Sequence, residues 1–189
     1  QEWFPQITLH RPSPKAIITI DIDSAYAYLY KPWYRKLLLI AKSLFKKEPP
    51  TPVEVLTRKK HDPYDSYHYL IKTTENYHFK FYFFFLTSGW SRFDKNISPG
   101  SRGFHSLVRR LSAFGQIGIH PSYFSSDESE LIQNETETLS EILHRPVTAS
   151  RQHYLRFSMP DTYQKLLRCG IKEDFSMGFA NNSGFRAGT

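Results

Sequence analysis

Two carboxylates separated by one residue, Asp21 and Asp23, follow a short apolar run at residues 16–20. If this run is a buried strand, both carboxylates can face a pocket just past its end. Neighbouring carboxylates repel each other, so an opposing cation is expected, either a metal ion or an arginine. One carboxylate would then bind metal while the other takes a proton from water. Two other interpretations stay open: a turn at Asp21 with a helix cap at Asp23, or the D-x-D motif of nucleotide-sugar transferases.

Two histidines and an arginine follow later apolar runs in the same way. His120 ends the run at 116–120 and precedes a proline, while Arg151 ends the run at 146–151, two residues before His153. The arginine could pair with a carboxylate and hold it ionised. One aspartate and two histidines would make a three-ligand site with an open position for water, the usual pattern of catalytic zinc. Taken alone, Arg151 and His153 are equally compatible with a solvated or structural side chain, and an isolated His120 fits a surface or hydrogen-bonded loop histidine better than a ligand.

The elements that must position these residues alternate along the chain. The pattern predicts strands at residues 16–20, 79–86, 116–120, 146–151 and 171–175. It predicts helices between them, at residues 33–46, 63–77, 102–114, 127–144 and 160–169, with a loop at 48–52. Such alternation is typical of a parallel sheet, either a barrel or an open sheet. In both architectures the active site lies at the carboxyl ends of the strands, where the polar residues named above fall.

Composition excludes some classes of protein and leaves others open. The chain has 189 residues, enough for one domain with a real core, and 40% of them are hydrophobic. No run approaches the ~20 apolar residues of a membrane-spanning helix, and the N-terminus lacks a signal-peptide pattern, so a cytoplasmic location is expected. The single cysteine, Cys169, excludes an internal disulfide and a cysteine-based zinc site. The net charge of +7 and the 16% of aromatic residues fit nucleic acid and carbohydrate equally well.

Five segments together resemble the polysaccharide deacetylase family, the NodB-homology group of carbohydrate esterases, in a bacterial branch. They read I-I-T-I-D-I-D-S-A-Y-A-Y, F-F-F-L, I-G-I-H-P-S-Y, S-R-Q-H-Y-L-R-F and G-I-K-E-D-F-S-M-G-F, and their order matches that of the family's motifs. The resemblance implies an α/β fold, a deformed, incomplete (β/α) barrel of the NodB type. It also implies hydrolysis of N- or O-linked acetyl groups on a polysaccharide or amino sugar, with one divalent metal, usually zinc.

The resemblance assigns roles to individual residues. Asp21 corresponds to the general base, Asp23 and His120 to metal ligands, and Arg151 to the arginine that holds the base. Asp174 loosely matches the carboxylate of the fourth motif, and Ser122 and Tyr123 belong to the second motif as supporting residues.

The chain departs from the family's motifs at two points. Position 124, where the family has a second histidine ligand, is Phe124, and the late Leu-x-His motif is absent. We therefore expect His153 to supply the missing ligand. We also expect residues 1–189 to form one deacetylase domain that is truncated at its C-terminus.

The sequence predicts a metal-dependent deacetylase with a carbohydrate substrate and no membrane span. A catalytically silent carbohydrate-binding module on the same fold is the first alternative. A nucleic-acid-binding domain, suggested by the positive charge, ranks lower. The transferase interpretation ranks low because it gives His120 and Arg151 no role.

Overall fold

A five-stranded parallel sheet organises the chain, and its strands lie side by side in sequence order. The computed structural model describes residues 16–45, 50–77, 79–179, 181–184 and 186. The strands are β1 (Ile17–Ile22), β2 (Lys80–Phe85), β3 (Gln116–Ile119), β4 (Ala149–Ser150) and β5 (Glu173–Asp174). The helices are α1 (Trp33–Ser43), α2 (Pro52–Leu56), α3 (Tyr67–Asn76), α4 (Arg102–Leu111), α5 (Ser129–Leu143) and α6 (Asp161–Arg168). Five parallel strands with helical crossovers form a curled half-barrel, which confirms the predicted incomplete (β/α) barrel.

The two faces of the sheet bury different sets of side chains. Because side chains alternate along a strand, Phe81, Phe83 and Phe85 of β2 point to one face and enter the main core with α4 and α5. Tyr82 and Phe84 point to the other face and pack with Ala149 and Phe175 in a smaller cluster. The aromatic run on β2 is therefore core on both sides, as expected for a strand buried on both faces.

Gly118 in β3 lets the smaller cluster close. A Cβ atom at this position would lie 2.4 Å from the Phe84 ring and 2.9 Å from the carbonyl oxygen of Ala149. Since these distances are shorter than van der Waals contact, any side chain here would push the ring or the neighbouring strand away. The Gly-Ile pair before His120 is thus a packing requirement of the sheet.

The strand register brings the carboxyl ends of the strands to one edge. Asp21 pairs with Phe84, Phe85 pairs with Ile119, and Ile119 pairs with Ser150. Backbone hydrogen bonds continue the ladder beyond the strands: the His120 amide donates to the carbonyl of Phe85 at 2.9 Å, and the Arg151 amide donates to that of Ile119 at 3.0 Å. The residues that follow β1, β3 and β4 are thereby fixed beside one another.

Several element bounds differ from the sequence-based expectations. β1 continues through Ile22, so Asp21 lies inside the strand and only Asp23 follows it. β4 and β5 have two residues each, far shorter than the predicted runs, because the register leaves little of each run paired. The helix predicted over 63–77 begins at Tyr67, and the helix predicted over 33–46 ends at Ser43, with residue 46 outside the described part of the chain.

Helix α2 was not predicted, because its first residue lies in a proline-rich stretch. Pro52 occupies a position at the start of a helix where no amide donor is needed. Thr51 and Glu54 form a reciprocal capping box there, with Glu54 accepting from the Thr51 amide at 2.8 Å. The proline that indicated a loop therefore starts a helix. Within the described residues, no helix combines the length and the apolar character needed to cross a bilayer.

Candidate functional site

The period of two along β1 places Thr19, Asp21 and Asp23 on the same side of the chain. Arg151, which follows β4, reaches this side: its Nε lies 3.4 Å from Oδ2 of Asp21. Its Nη1 donates to the Thr19 hydroxyl at 2.8 Å. The Arg151–Asp21 contact lacks hydrogen-bond geometry, so the guanidinium acts on the carboxylate through its charge while Thr19 holds the guanidinium in place.

His120 is held by its Nδ1 side. This nitrogen donates to the backbone carbonyl of Arg151, and the side chain is 3% exposed. Nε2 faces the other way and lies 3.1 Å from Oδ1 of Asp23. Hydrogen bonding to His120 is the main cause that lowers the pKa of Asp23, so this carboxyl group is ionised.

His153 has the same arrangement with a different partner. Its Nδ1 donates to Oδ1 of Asp94 at 3.0 Å, and its Nε2 lies 3.7 Å from Oδ1 of Asp23. Burial is the main cause that lowers the pKa of His153, which favours the neutral imidazole. A short 3-10 turn, His153–Leu155, presents the ring, and Tyr154 and Leu155 both take positive φ angles of 58° and 49°. Such backbone is costly for non-glycine residues and persists only where the surroundings impose it.

The three side chains converge on one point from β1, β3 and β4. The coordinating atoms of Asp23, His120 and His153 all lie within 4.8 Å of one another. Because each Nδ1 donates to an acceptor, Nε2 is the ring nitrogen that faces the Asp23 carboxylate in both histidines. Two imidazole nitrogens and a carboxylate oxygen directed at one point are the donor types of a divalent metal site, in which the cation would replace the hydrogen-bonding proton between Nε2 and the carboxylate. Partners on the far nitrogen of each histidine are also typical of metal sites, where they fix the tautomer.

Two buried carboxylates support this edge, and both were missed from the sequence. Asp94, in the loop after β2, is 1% exposed and accepts from His153, from the Ser91 hydroxyl at 2.7 Å and from the Tyr123 amide at 3.1 Å. Glu135 on α5 accepts from the Ser122 amide at 3.0 Å. Burial raises the pKa of Glu135 to about 7.

The predicted supporting residues take part through different atoms. Ser122 and Tyr123 use their backbone amides, which donate to the two buried carboxylates. Asp174 accepts from the hydroxyls of Ser150 at 2.6 Å, Tyr163 at 3.0 Å and Ser176 at 3.0 Å. It therefore connects the ends of β4 and β5, which is a positioning role. Tyr163 shows the effect of this environment, since burial is the main cause that raises its pKa to about 12.

Phe124 has no part in the cluster of Asp23, His120 and His153. Its ring lies 5.7 Å from that of Phe93 and 5.3 Å from that of Tyr123, both edge-on, and its surface is 42% exposed. The structure thus brings His153, rather than residue 124, beside His120.

A cavity of about 420 Å³ opens beside Asp21 and Asp23. Its lining also includes Ser24, Tyr64 and Tyr67. This space gives small molecules and water a route to both carboxylates.

Comparison with known proteins identifies the fold. No family model matches the sequence, and no curated protein matches it. Among solved structures, a protein from Mycobacterium smegmatis assigned as a polysaccharide deacetylase superposes with a TM-score of 0.53 at 14% identity, over 90% of this chain and 54% of that one. IcaB from Ammonifex degensii gives a TM-score of 0.47 at 15% identity, over 87% of this chain and 85% of that one. A polysaccharide deacetylase from Bacillus cereus gives 0.40 at 20% identity, over 57% of this chain and 52% of that one.

The comparison with the M. smegmatis protein defines the fold of this chain. The chain spans about half the length of the M. smegmatis and B. cereus proteins. At 14% identity, the likeness to the M. smegmatis protein establishes a common fold and does not extend to activity. The chain therefore has the polysaccharide deacetylase fold, which confirms the resemblance found in its sequence motifs.

Proposed function

We propose that this chain is a metal-dependent hydrolase that removes N- or O-linked acetyl groups from a carbohydrate. The single observation that carries the proposal is the convergence of Asp23, His120 and His153 within 4.8 Å beside the Asp21–Arg151 pair. The deacetylase fold favours removal of acetyl groups over other metal-assisted hydrolyses. We further propose that residues 1–189 belong to one domain, which is supported by the single sheet and the one main core found among the described residues.

In this proposal Asp23, His120 and His153 hold the metal. A divalent cation, with zinc expected first, would polarise an acetyl carbonyl and favour deprotonation of water at this place. The carbonyl of Arg151 and the carboxylate of Asp94 keep the Nε2 atoms of the two histidines directed toward Asp23. The ligand set is therefore oriented before any ion binds, which lowers the cost of assembling it.

Asp21 is proposed as the general base. It lies two residues before Asp23 on the same side of the chain, so a water near the ligands is within reach of its carboxylate. Arg151 places its positive charge beside this carboxylate, with Nε 3.4 Å from Oδ2, and fixes its position. Thr19 contributes by holding the other end of the guanidinium.

The cavity beside the aspartates is proposed to receive the acetylated sugar. Tyr64 lines it and is 53% exposed, so its ring offers a face on which a sugar can stack. Ser24 and Ser66 also line it and provide hydroxyl groups that can bond to sugar hydroxyls.

The proposal is tested by measuring acetate release from N-acetylglucosamine oligomers and from an acetate ester, with zinc-loaded protein. Asp21→Asn should lower kcat by about 10²–10⁴-fold while metal content stays unchanged. Asp161→Asn, which changes an exposed aspartate on α6, is the matched control and should keep full activity. A protein that binds zinc and the oligomers but releases no acetate would instead be a silent carbohydrate-binding module.

A further inference from the structure

Helix α1 carries most of its large apolar side chains on the outside of the molecule. None of its residues is buried, whereas α4 buries five. Six large apolar side chains on its outer side, two of which directly follow the helix, are exposed, from 49% for Tyr34 to 91% for Phe45. The others are Trp33, Leu37, Leu38 and Leu44. A contiguous apolar surface of this kind marks an interaction site more often than a free surface.

The spacing of these residues makes one continuous stripe. Positions 33, 37 and 44 recur at intervals of four and seven, and positions 34, 38 and 45 repeat the same intervals one residue later. With 3.6 residues per turn, these two rows lie next to each other on the helix surface. The stripe is therefore a property of the helix as a whole.

The inward side of α1 is mixed, with the half-buried residues Arg35, Lys36, Leu39 and Ile40. The Arg35 guanidinium lies 3.3 Å above the centre of the Trp90 ring, which is itself exposed. The segment before the helix is fixed by Asp62, whose carboxylate accepts from the amides of Ala27 and Leu29 at 2.8 and 3.0 Å. These contacts keep the stripe turned outward.

Cations line both flanks of the stripe. On one flank, a groove of about 430 Å³ is lined by Lys31, Arg35 and Lys42 together with Leu38 and Trp90. On the other flank, a cavity of about 540 Å³ is lined by four cations, namely Lys36, Arg58, Lys59 and Lys60. Two acidic residues also line it, Asp62 and Asp65, and the carboxylate of Asp62 is occupied by backbone amides.

We propose that this face docks onto an anionic lipid bilayer, with α1 lying in the plane of the interface. Trp33, Leu37 and Phe45 would enter the boundary between headgroups and acyl chains, while the flanking cations meet lipid phosphates. Tryptophan, phenylalanine and leucine on one side with lysine and arginine beside them is the composition of interfacial helices. A purely apolar protein partner would leave the two cationic flanks unmatched. The inference does not depend on the proposed deacetylase activity.

The test is co-sedimentation of the 189-residue chain with phosphatidylglycerol–phosphatidylcholine vesicles and with phosphatidylcholine vesicles. Binding to the anionic vesicles should weaken as salt rises. The double variant Leu37→Ser/Leu38→Ser should weaken this binding by at least about tenfold. Leu167→Ser, which removes a 69% exposed leucine from α6, is the matched control and should bind as the parent does.

Three results would overturn the proposal. One is no binding to anionic vesicles, or equal binding to both vesicle types. Another is a dimer in size-exclusion chromatography with light scattering that Leu37→Ser/Leu38→Ser dissociates, because the stripe would then be an interface between two copies. The third is a clear fall of Tm in that variant relative to Leu167→Ser, because another part of the same chain would then cover the stripe.

Discussion

The histidines and the aspartates of the candidate site are built in different ways. The side chains of His120 and His153 are 3% and 7% exposed, and each has a fixed partner on Nδ1. The side chains of Asp21 and Asp23 are 30% and 58% exposed and border an open cavity. We call these the imidazole half and the carboxylate half of the site.

This difference matches two requirements of the proposed hydrolysis. The imidazole half is rigid because buried groups fix it, which suits ligands that must hold one geometry. The carboxylate half is open, which suits groups that must meet water and substrate. Substitutions in the two halves should therefore differ in their effects on zinc affinity, on stability and on kcat.

The largest effect is expected from the residue that joins the halves. Asp23→Ala removes a direct ligand and should weaken zinc binding by more than about 100-fold, beyond the range for outer partners of a metal site. Zinc affinity is measured by competition with a chromogenic chelator, with Asp161→Asn as the control. An unchanged affinity would mean that the carboxylate half contributes no ligand.

Glu135→Gln should change how stability depends on pH in metal-free protein. Burial raises the pKa of Glu135 from 4.5 to about 7, so the folded state keeps a proton that the unfolded state releases. Its contribution to stability is complete below pH 4.5 and is lost as the pH rises to about 7, by up to about 3 kcal/mol. The glutamine variant should lack this loss, as measured by urea unfolding from pH 4.5 to 7.5.

Glu141→Gln is the matched control for that measurement, because Glu141 is exposed on the same helix α5. It should keep the pH dependence of the parent. A Glu135→Gln variant with the parent's slope would show that this carboxyl is ionised in the folded protein, which would contradict the described effect of its burial.

Asp94→Asn changes a hydrogen-bond partner in the imidazole half instead of a proposed ligand, so a smaller loss of zinc affinity is expected. Asparagine keeps the shape but not the charge of the group that accepts from Nδ1 of His153. Loss of such a partner should weaken zinc binding by about 10–100-fold. Asp127→Asn changes an exposed aspartate paired with Arg156 and should have no effect, so an equal loss in both variants would refute a specific role for Asp94.

The smallest effect is expected from Thr19→Val in the carboxylate half. The change removes the hydroxyl that accepts from Arg151 Nη1 and keeps the side-chain shape. One hydrogen bond to a charged group is worth about 1.5–3 kcal/mol at most, and relaxation of Arg151 should limit the fall in kcat to about tenfold. Zinc affinity should stay the same. Thr57→Val, an exposed threonine, is the control, and a fall in zinc affinity would place Thr19 in the metal site instead.

Sequence patterns were sufficient to predict that the polar residues following the strands lie together. The alternation of strands and helices indicated that Asp23, His120, Arg151 and His153 share one edge, because parallel strands end on the same side. This signal is local, carried by apolar runs and by the residue that ends each run. It left a barrel and an open sheet undecided, and the half-barrel was implied by the resemblance to the deacetylase family.

The two buried carboxylates beside the site could not be predicted from apolar runs and the residues that end them. Asp94 lies in a loop and Glu135 on a helix, and only tertiary contacts make them buried. The sequence signal available for Asp94 was a polar residue in the loop after β2. That strand was interpreted only as part of the core, so the loop after it was not considered as part of the site. The brevity of β4 and β5 likewise depends on pairing across the sheet, which an apolar run does not encode.

Zinc titration of the parent chain, His153→Ala and His61→Ala tests directly whether Asp23, His120 and His153 together hold a metal ion. His61 is an exposed histidine away from Asp23, so its variant controls for nonspecific binding. If they do, the parent and His61→Ala bind one zinc ion per chain, and the affinity of His153→Ala for zinc is weakened by more than about 100-fold. The same stoichiometry and affinity in all three proteins would contradict it.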